Sequence, residues 1–255
     1  MQSPEVIALL PILEQEFVVP TNRPDLDPLE RFHEQNYRLH FMHEVTLTAR
    51  LDASILLALD RLLLLLKHHN HYPAGHYPVV TDIGANGFCR PVVDDEGRLT
   101  GNKFEPDRCT QDANSAGQPD AINRCPGDVK CSWKFQGNWR PWIGSKGKGY
   151  KPLGDEYRNV MAQLRWYMAD IGLQEPRGGG GKRWGATYGY IITDQEVVLV
   201  KRVPTGEDTL ALYATPGFPL RSAEEGQING LLALLIIHLL ASKDDYKTEN
   251  GAFDR

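Results

Sequence analysis

An acid and an amine lie two residues apart in the segment Cys125–Phe135, at Asp128 and Lys130. Side chains at positions i and i+2 of a strand lie on the same face, so a strand here would point both groups into one site. A second acid, Asp107, lies 21 residues upstream of Asp128 and directly follows Pro106. Proline favours an extended conformation in the residue before it, which predicts that Asp107 lies near a strand end.

These three residues have the types needed for phosphate chemistry. Carboxylates on adjacent strands hold divalent cations through oxygen ligands, and a nearby lysine stabilises a phosphate or activates water. Asp107 and Asp128 are therefore candidate ligands for Mg²⁺ or Mn²⁺, with Lys130 as the catalytic amine. The alternative is a pair of solvated surface acids and a strand lysine that share no role.

The order PD and then DxK resembles the PD-(D/E)xK nuclease-like superfamily. The segments PGDVKCSWKF, EYRNVMAQLRWYM and YGYIITDQEVVLVKR resemble small fungal proteins assigned to that superfamily, and the resemblance covers roughly residues 100–240. It implies an α/β fold with a mixed sheet flanked by helices. It also implies an active-site Glu on a helix before the catalytic strands, at Glu44 or Glu34, and a polar helix residue beside the catalytic lysine, at Gln163.

Two helices are predicted before the motifs. The first begins after an N-cap at Asp27 and runs to about Ala49, so that it includes Glu34 and Glu44. Asp52 is predicted to cap a second helix, 53–67, which is apolar nearly all round and therefore belongs to the core. The residues 108–124 are rich in turn formers, so the strand expected behind Asp107 is predicted to be short.

Three further elements are predicted after the DxK motif. A helix is expected from Gly154 or Asp155 to about Met168, with a buried stripe at Val160, Leu164 and Tyr167. Residues 187–193 and 196–203 are predicted to form a β-hairpin around the turn Asp194-Gln195. A last helix is predicted from Ser222 or Glu224 through Ala241, packed on the sheet by its leucines.

Composition and charge bound the class of protein. The chain has 255 residues and a net charge of −5, which argues against a broad, nonspecific nucleic-acid binder. A single domain is predicted, with a helical N-terminal part at 1–70 and a sheet-containing core at 79–241. Residues 128–202 are nevertheless basic, with 13 Lys and Arg against 7 Asp and Glu.

The basic segment supplies candidate contacts to a phosphate-bearing ligand. Aromatic residues interleaved with cations suit stacking on bases and pairing with phosphates. The candidate nucleic-acid-binding residues are Arg140, Lys146, Lys148, Lys151, Lys182 and Arg183. The candidate substrate-binding residues are Glu34, Trp133 and Lys134.

The four cysteines lack CxxC spacing and no signal peptide precedes them, which predicts a reduced, cytoplasmic protein. The apolar runs at 62–66 and 231–241 are shorter than the roughly 18 residues needed to span a bilayer, so no membrane association is expected.

Three functions remain open. The preferred expectation is aminoacyl-tRNA-dependent synthesis of an arginine-containing cyclic dipeptide on a repurposed PD-(D/E)xK-like fold, by general resemblance to the fungal arginine-containing cyclodipeptide synthases. It needs charged tRNA and no cofactor, with buried acids that bind a guanidinium, here Glu30, Glu34, Glu44, Asp107 and Asp128. The alternatives are a nuclease that uses Mg²⁺ and a noncatalytic nucleic-acid-binding module.

Overall fold

The computed structural model describes residues 44–93, 96, 98–118, 121–142, 151–171, 184–204, 210–220 and 228–249. The chain separates into two compact units, Met1–Met42 and His43–Arg255, and the described residues all belong to the second. Within them the protein is mixed α/β, with a largely antiparallel sheet and four α-helices of eight or more residues. In this part of the chain no helix combines the length and the apolar character that crossing a membrane requires.

The helical region before the sheet is continuous. Helix α1 (Glu44–Leu51) passes through a short π-helical segment, Asp52–Leu56, into α2 (Leu57–His68). The predicted N-cap at Asp52 is wrong, because Leu51 keeps helical dihedrals and no side-chain capping bond forms there. The core assignment of α2 is confirmed by its buried residues Leu59, Leu62, Leu63 and Leu66. The predicted start of the first helix at Asp27 lies outside the described residues.

The described strands are β1 (Val79–Ile83), β2 (Arg90–Val93), β3 (Leu99–Phe104), β4 (Arg108–Asp112), β5 (Gly127–Val129), β6 (Trp184–Ala186), β7 (Tyr188–Ile192), β8 (Glu196–Pro204), β9 (Leu210–Ala214), β10 (Phe218–Pro219) and β11 (Lys247–Glu249). The main sheet has the order β1-β4-β5-β7-β8-β10, with β9 also paired to β8. Two small sheets pair β2 with β3 and β6 with β11. The strand behind Asp107 was expected to be short or to end at once; β4 has five residues and pairs with β1 along its length, so it does not end at once.

Helix α3 (Lys151–Ala169) lies between the parallel strands β5 and β7 in the chain. Parallel neighbours require a crossover connection, and a helix is the usual one. The helix begins at Lys151, three residues before its predicted start, so Lys151 is a helical residue and not a loop cation. The buried guanidinium of Arg202 on β8 donates to the carbonyl of Met168 at 2.5 Å and so anchors the last turn of α3.

The predicted hairpin is confirmed. Strands β7 and β8 pair in antiparallel register around Asp194 and Gln195, and the hydroxyl of Thr193 accepts from the backbone N–H groups of Gln195 and Glu196. Helix α4 (Gly230–Ala241) begins later than expected, because the side chain of Asn229 caps it by accepting from the N–H of Leu232. The predicted start at Ser222 or Glu224 is therefore wrong.

The two faces of the main sheet carry different partners. Asp128 is in register with Ile191, whose side chain belongs to an apolar cluster with Leu164 and Met168 of α3. The neighbouring pair, Gly127 and Tyr190, points to the opposite face, where α4 lies against β7 and β8 and α2 lies against α4. Alternation along β5 thus places Asp128 on the α3 face.

Candidate active site

The Asp128 and Lys130 side chains meet beneath α3. Asp128 lies on β5, and Lys130 continues the strand direction, with its N–H donating to the carbonyl of Ile192 at 3.0 Å. The Lys130 Nζ donates to Asp128 Oδ1 at 2.9 Å and to the carbonyl of Val129 at 3.3 Å. The exposed fractions of the two side chains are only 1% for Asp128 and 8% for Lys130. The predicted same-face geometry is confirmed, and neither group lies in bulk solvent.

Asp107 reaches the same place from the neighbouring strand. Its carboxylate Oδ2 accepts from the backbone N–H of Val129 at 2.7 Å, which ties the residue before β4 to the end of β5. Its own carbonyl accepts from the N–H of Gly84 at 3.0 Å. Gly84 packs so tightly on Pro106 that a Cβ there would overlap the Pro106 carbonyl. The predicted proximity of Asp107 to Asp128 and Lys130 is confirmed, and Gly84 is a positioning residue that the sequence analysis missed.

The Asp107 carboxyl affects the titration of Asp128. Burial and the nearby Asp107 carboxyl together raise the pKa of Asp128 to about 8, although the charge of Lys130 opposes the rise. The second oxygen, Asp128 Oδ2, is buried and has no hydrogen-bond donor among the described residues. A buried carboxylate oxygen without a partner carries a large desolvation cost. A proton or a bound cation would remove that cost.

Lys130 keeps its charge in this environment. Burial by itself lowers the pKa of the amine, but the charges of Asp128, Glu44 and Asp107 outweigh burial and leave the pKa above its usual value. The site therefore contains a positive charge within hydrogen-bonding distance of the Asp128 carboxyl group.

Glu44 enters from α1, which lies against β5. Its Oε1 accepts from the Lys134 Nζ at 3.1 Å, and both side chains are partly exposed. The Lys134 Nζ in turn lies 5.0 Å from the centroid of the Trp133 ring. The structure thus brings Glu44, Trp133 and Lys134 together at the solvent side of the buried pair.

Helix α3 contributes a tyrosine that the sequence analysis placed in the core. The Gln163 Nε2 donates to the Tyr167 hydroxyl at 2.6 Å. Burial raises the pKa of Tyr167 to about 12, and the charges of Asp128, Asp107 and Glu44 add to the rise. Tyr167 is half-buried with its hydroxyl beside the acids, and its i+4 spacing from Gln163 is the signal that would have found it.

The structure does not bring the remaining predicted site residues to Asp107, Asp128 and Lys130 among the residues that it describes. Arg140 is exposed and donates to the carbonyl of Ala214 at 3.2 Å. Lys151 opens α3, and its side chain is not described. The others lie outside the described residues, namely Glu30, Glu34, Lys146, Lys148, Lys182 and Arg183. The four cysteines all lie among the described residues, where they are buried and form no disulfide bond.

The Asp107 and Asp128 carboxyl groups are oxygen donors, the type of ligand that Mg²⁺ binds. Among the described residues, no group of three or more His, Cys, Asp or Glu side chains is placed to hold a metal. Mg²⁺ needs no such cage, because it keeps several waters and is bound through one or two carboxylates together with substrate phosphates. Asp107 and the unpartnered Oδ2 of Asp128 meet that requirement.

Likeness to known proteins adds nothing to this geometry. No protein-family model, curated protein or solved structure matches the chain significantly.

Proposed function

We propose that this protein is a metal-dependent phosphodiesterase that cleaves nucleic acid, with a PD-(D/E)xK nuclease-like arrangement of its sheet and helices. The observation that carries the proposal is the buried, unpartnered Oδ2 of Asp128, beside the Asp107 carboxyl and the charged Lys130.

Each residue has a role that follows from its position. Asp107 and Asp128 would hold Mg²⁺, which when bound supplies Lewis-acid stabilisation to a phosphate oxygen. Lys130 offers a proton-bearing Nζ to the charge that develops on the phosphate. The Tyr167 hydroxyl, held by Gln163, donates a hydrogen bond on the same side, and its high pKa keeps it protonated at neutral pH.

Cation binding and proton binding compete at Asp128. Its pKa of about 8 means that the carboxyl holds a proton at neutral pH when no cation is bound. A metal ligand must be deprotonated, so Mg²⁺ affinity rises with pH up to about that value. Cleavage at limiting Mg²⁺ is therefore expected to increase between pH 6.5 and 8.5.

The fold supports the same proposal. Asp107 directly precedes β4, Asp128 lies on the adjacent antiparallel strand β5, and α3 follows β5 in the chain with the Tyr167 hydroxyl near both acids. Glu44 lies on a helix before these strands, as the resemblance implies.

A strand truncated after Asp107 would favour the cyclic-dipeptide synthase, because such a strand is easier to reconcile with a repurposed site. β4 removes that reason. A guanidinium pocket also needs carboxylates free to form two parallel bonds, whereas one oxygen of Asp128 already accepts from Lys130. Charged tRNA as a partner, and noncatalytic binding as a function, stay predictions that no contact among the described residues favours.

The test is cleavage of end-labelled single- and double-stranded DNA and RNA with Mg²⁺, Mn²⁺ or EDTA. We expect metal-dependent cleavage by the wild type and none by Asp128→Asn, because a neutral amide is a poorer ligand for a hard cation. Asp155→Asn is the matched control, since Asp155 lies on the exposed side of α3 in a 3.6 Å pair with Arg158.

Circular dichroism and Mg²⁺ titration by calorimetry distinguish lost chemistry from lost folding in Asp128→Asn. The proposal is wrong if none of the four substrates is cleaved with either metal, or if Asp128→Asn cleaves as fast as the wild type. In that event, mass spectrometry of the medium of an expressing bacterial host for arginine-containing cyclic dipeptides tests the synthase.

A further inference from the structure

Two exposed tryptophans lie close in sequence to residues of the candidate active site. We call the group Asp107, Asp128 and Lys130 the acid site. Trp133 has an exposed fraction of 57%, three residues after Lys130, and Trp166 has an exposed fraction of 46%, next to Tyr167. Exposing an indole gives up much of the apolar burial that such a large side chain otherwise contributes. Two of them beside one site suggest a ligand with flat, apolar faces.

Trp133 is connected to the site through charge. The Lys134 Nζ lies 5.0 Å from its ring centroid and also binds Glu44 at 3.1 Å. A cation beside an exposed indole matches a nucleotide, whose base stacks on the ring while its phosphate meets the amine.

Trp166 is connected through α3. It lies three residues after Gln163, so the two share a side of the helix, and Gln163 donates to the Tyr167 hydroxyl. Arg165, the preceding residue, is also exposed. Each indole therefore has a cation as its neighbour in sequence.

The burial of Asp128 and Lys130 favours a single-stranded nucleic acid over a duplex as the ligand. The exposed fractions of Asp128 and Lys130 are 1% and 8%, so a phosphate must leave the surface to reach them. A duplex is stiff over about 50 nm and keeps its bases stacked inside, whereas a single strand bends and offers its bases. The net charge of −5 also disfavours the broad basic surface that tracks a duplex.

We propose that the substrate is a single-stranded nucleic acid whose bases stack on Trp133 and Trp166, while the phosphate between them enters the recessed acid site. The proposal rests on the phosphodiesterase function for its chemistry, but the stacking itself needs no metal. Stacking on an indole is tolerant of sequence, so the protein distinguishes strandedness and not base order.

The test is fluorescence anisotropy in EDTA, where binding is read without cleavage. The probes are a labelled single-stranded DNA 12-mer, its duplex, and an abasic strand of equal charge. We expect the single strand to bind more tightly than either of the others. Trp133→Ala and Trp166→Ala should each weaken single-strand binding by about 5- to 150-fold, the range for one stacked base.

The controls separate stacking from general damage. Tyr213→Ala removes another exposed aromatic residue, on β9, and should leave binding unchanged. Trp133→Phe keeps an aromatic face and should recover most of the affinity. Abasic-strand binding should not change in either Trp→Ala variant, because phosphate contacts remain.

Equal binding of the single strand and the duplex overturns the proposal, as does unchanged affinity in both Trp→Ala variants. Selective single-strand binding without any cleavage in Mg²⁺ would leave the stacking surface intact and reject the phosphodiesterase. Cleavage of duplex by variants that lack both indoles would retain the phosphodiesterase and reject the stacking surface.

Discussion

The two faces of the main sheet both bury polar side chains, but in different ways. The α3 face holds Asp128 and Lys130, and the α4 face holds Arg108, Tyr190 and His238. Both sets contain buried polar atoms without a partner, namely Asp128 Oδ2 on one side and Arg108 Nε, Tyr190 Oη and His238 Nε2 on the other. An unpartnered buried atom therefore does not by itself mark a site.

The two faces of the main sheet differ in how far their buried polar side chains lie from solvent. On the α3 face the buried pair is followed outward by half-buried Asp107 and Tyr167, and then by partly exposed Glu44 and exposed Gln163. A ligand has a polar route to Asp128.

On the α4 face Tyr190 and His238 are fully buried, with ring centroids 5.4 Å apart. The buried Arg108 pairs with Asp52 at 2.9 Å, which joins β4 to the π-helical segment. We interpret this face as structural.

The largest expected effect is at Lys130. Lys130→Met should reduce the rate of metal-dependent cleavage by about 100- to 1000-fold, the loss typical of removing one preorganised charge from a transition state. Folding should persist, because Asp128 becomes neutral by keeping its proton. Single-turnover rates measure the effect, with Lys201→Met on the exposed side of β8 as the control. If the Lys130→Met variant retained the wild-type rate, we would conclude that the α3 face is structural, like the α4 face.

The next effect concerns stability at low pH. Burial lowers the pKa of His238 to about 4, and the Arg108 charge lowers it further, so the folded protein holds this side chain neutral. The unfolded chain takes up the proton near pH 6.5, so the stabilisation is present above that pH and lost as pH falls towards 4. The loss is on the order of 3 kcal/mol.

Urea unfolding between pH 7 and 4 measures this loss, and His238→Leu should flatten the curve. We expect His238→Leu to cleave at the wild-type rate at pH 7.5. An identical pH dependence of stability in both proteins would contradict the assignment of this face.

A smaller effect is expected at Tyr167. Tyr167→Phe removes one hydroxyl beside the acids while the ring stays in place. One hydrogen bond contributes about 0.5–1.5 kcal/mol, so the cleavage rate should fall by about 2- to 12-fold. Tyr157→Phe is the matched control, because Tyr157 packs on Phe135 in the apolar cluster beneath the same helix. An equal fall in the two variants would indicate a packing effect.

The smallest effect is expected at Tyr190. Its hydroxyl is buried without a partner, so Tyr190→Phe removes an unsatisfied group and loses no described hydrogen bond. We expect equal or slightly greater stability in urea and a cleavage rate within about twofold of the wild type. A large loss of cleavage with normal stability would show that the α4 face takes part in function.

Local patterns were sufficient for several elements. The i, i+2 spacing of Asp128 and Lys130 predicted their shared face, and the Asp194-Gln195 turn predicted the hairpin of β7 and β8. The apolar sequences of α2 and α4 predicted buried helices. These features depend on backbone periodicity within a few residues, which any sequence displays directly.

Other features depend on partners far along the chain. The strand after Asp107 exists because β1 pairs with it, although the residues that follow, 113–124, are rich in turn formers. Lys134 meets Glu44 across 90 residues, and Asp107 meets Val129 across 22. Tyr167 has the spacing of a core residue, and only the position of α3 against β7 brings its hydroxyl near the acids. The sequence specifies which side chains share a face of one element, whereas packing between elements decides which faces meet and which polar groups reach solvent.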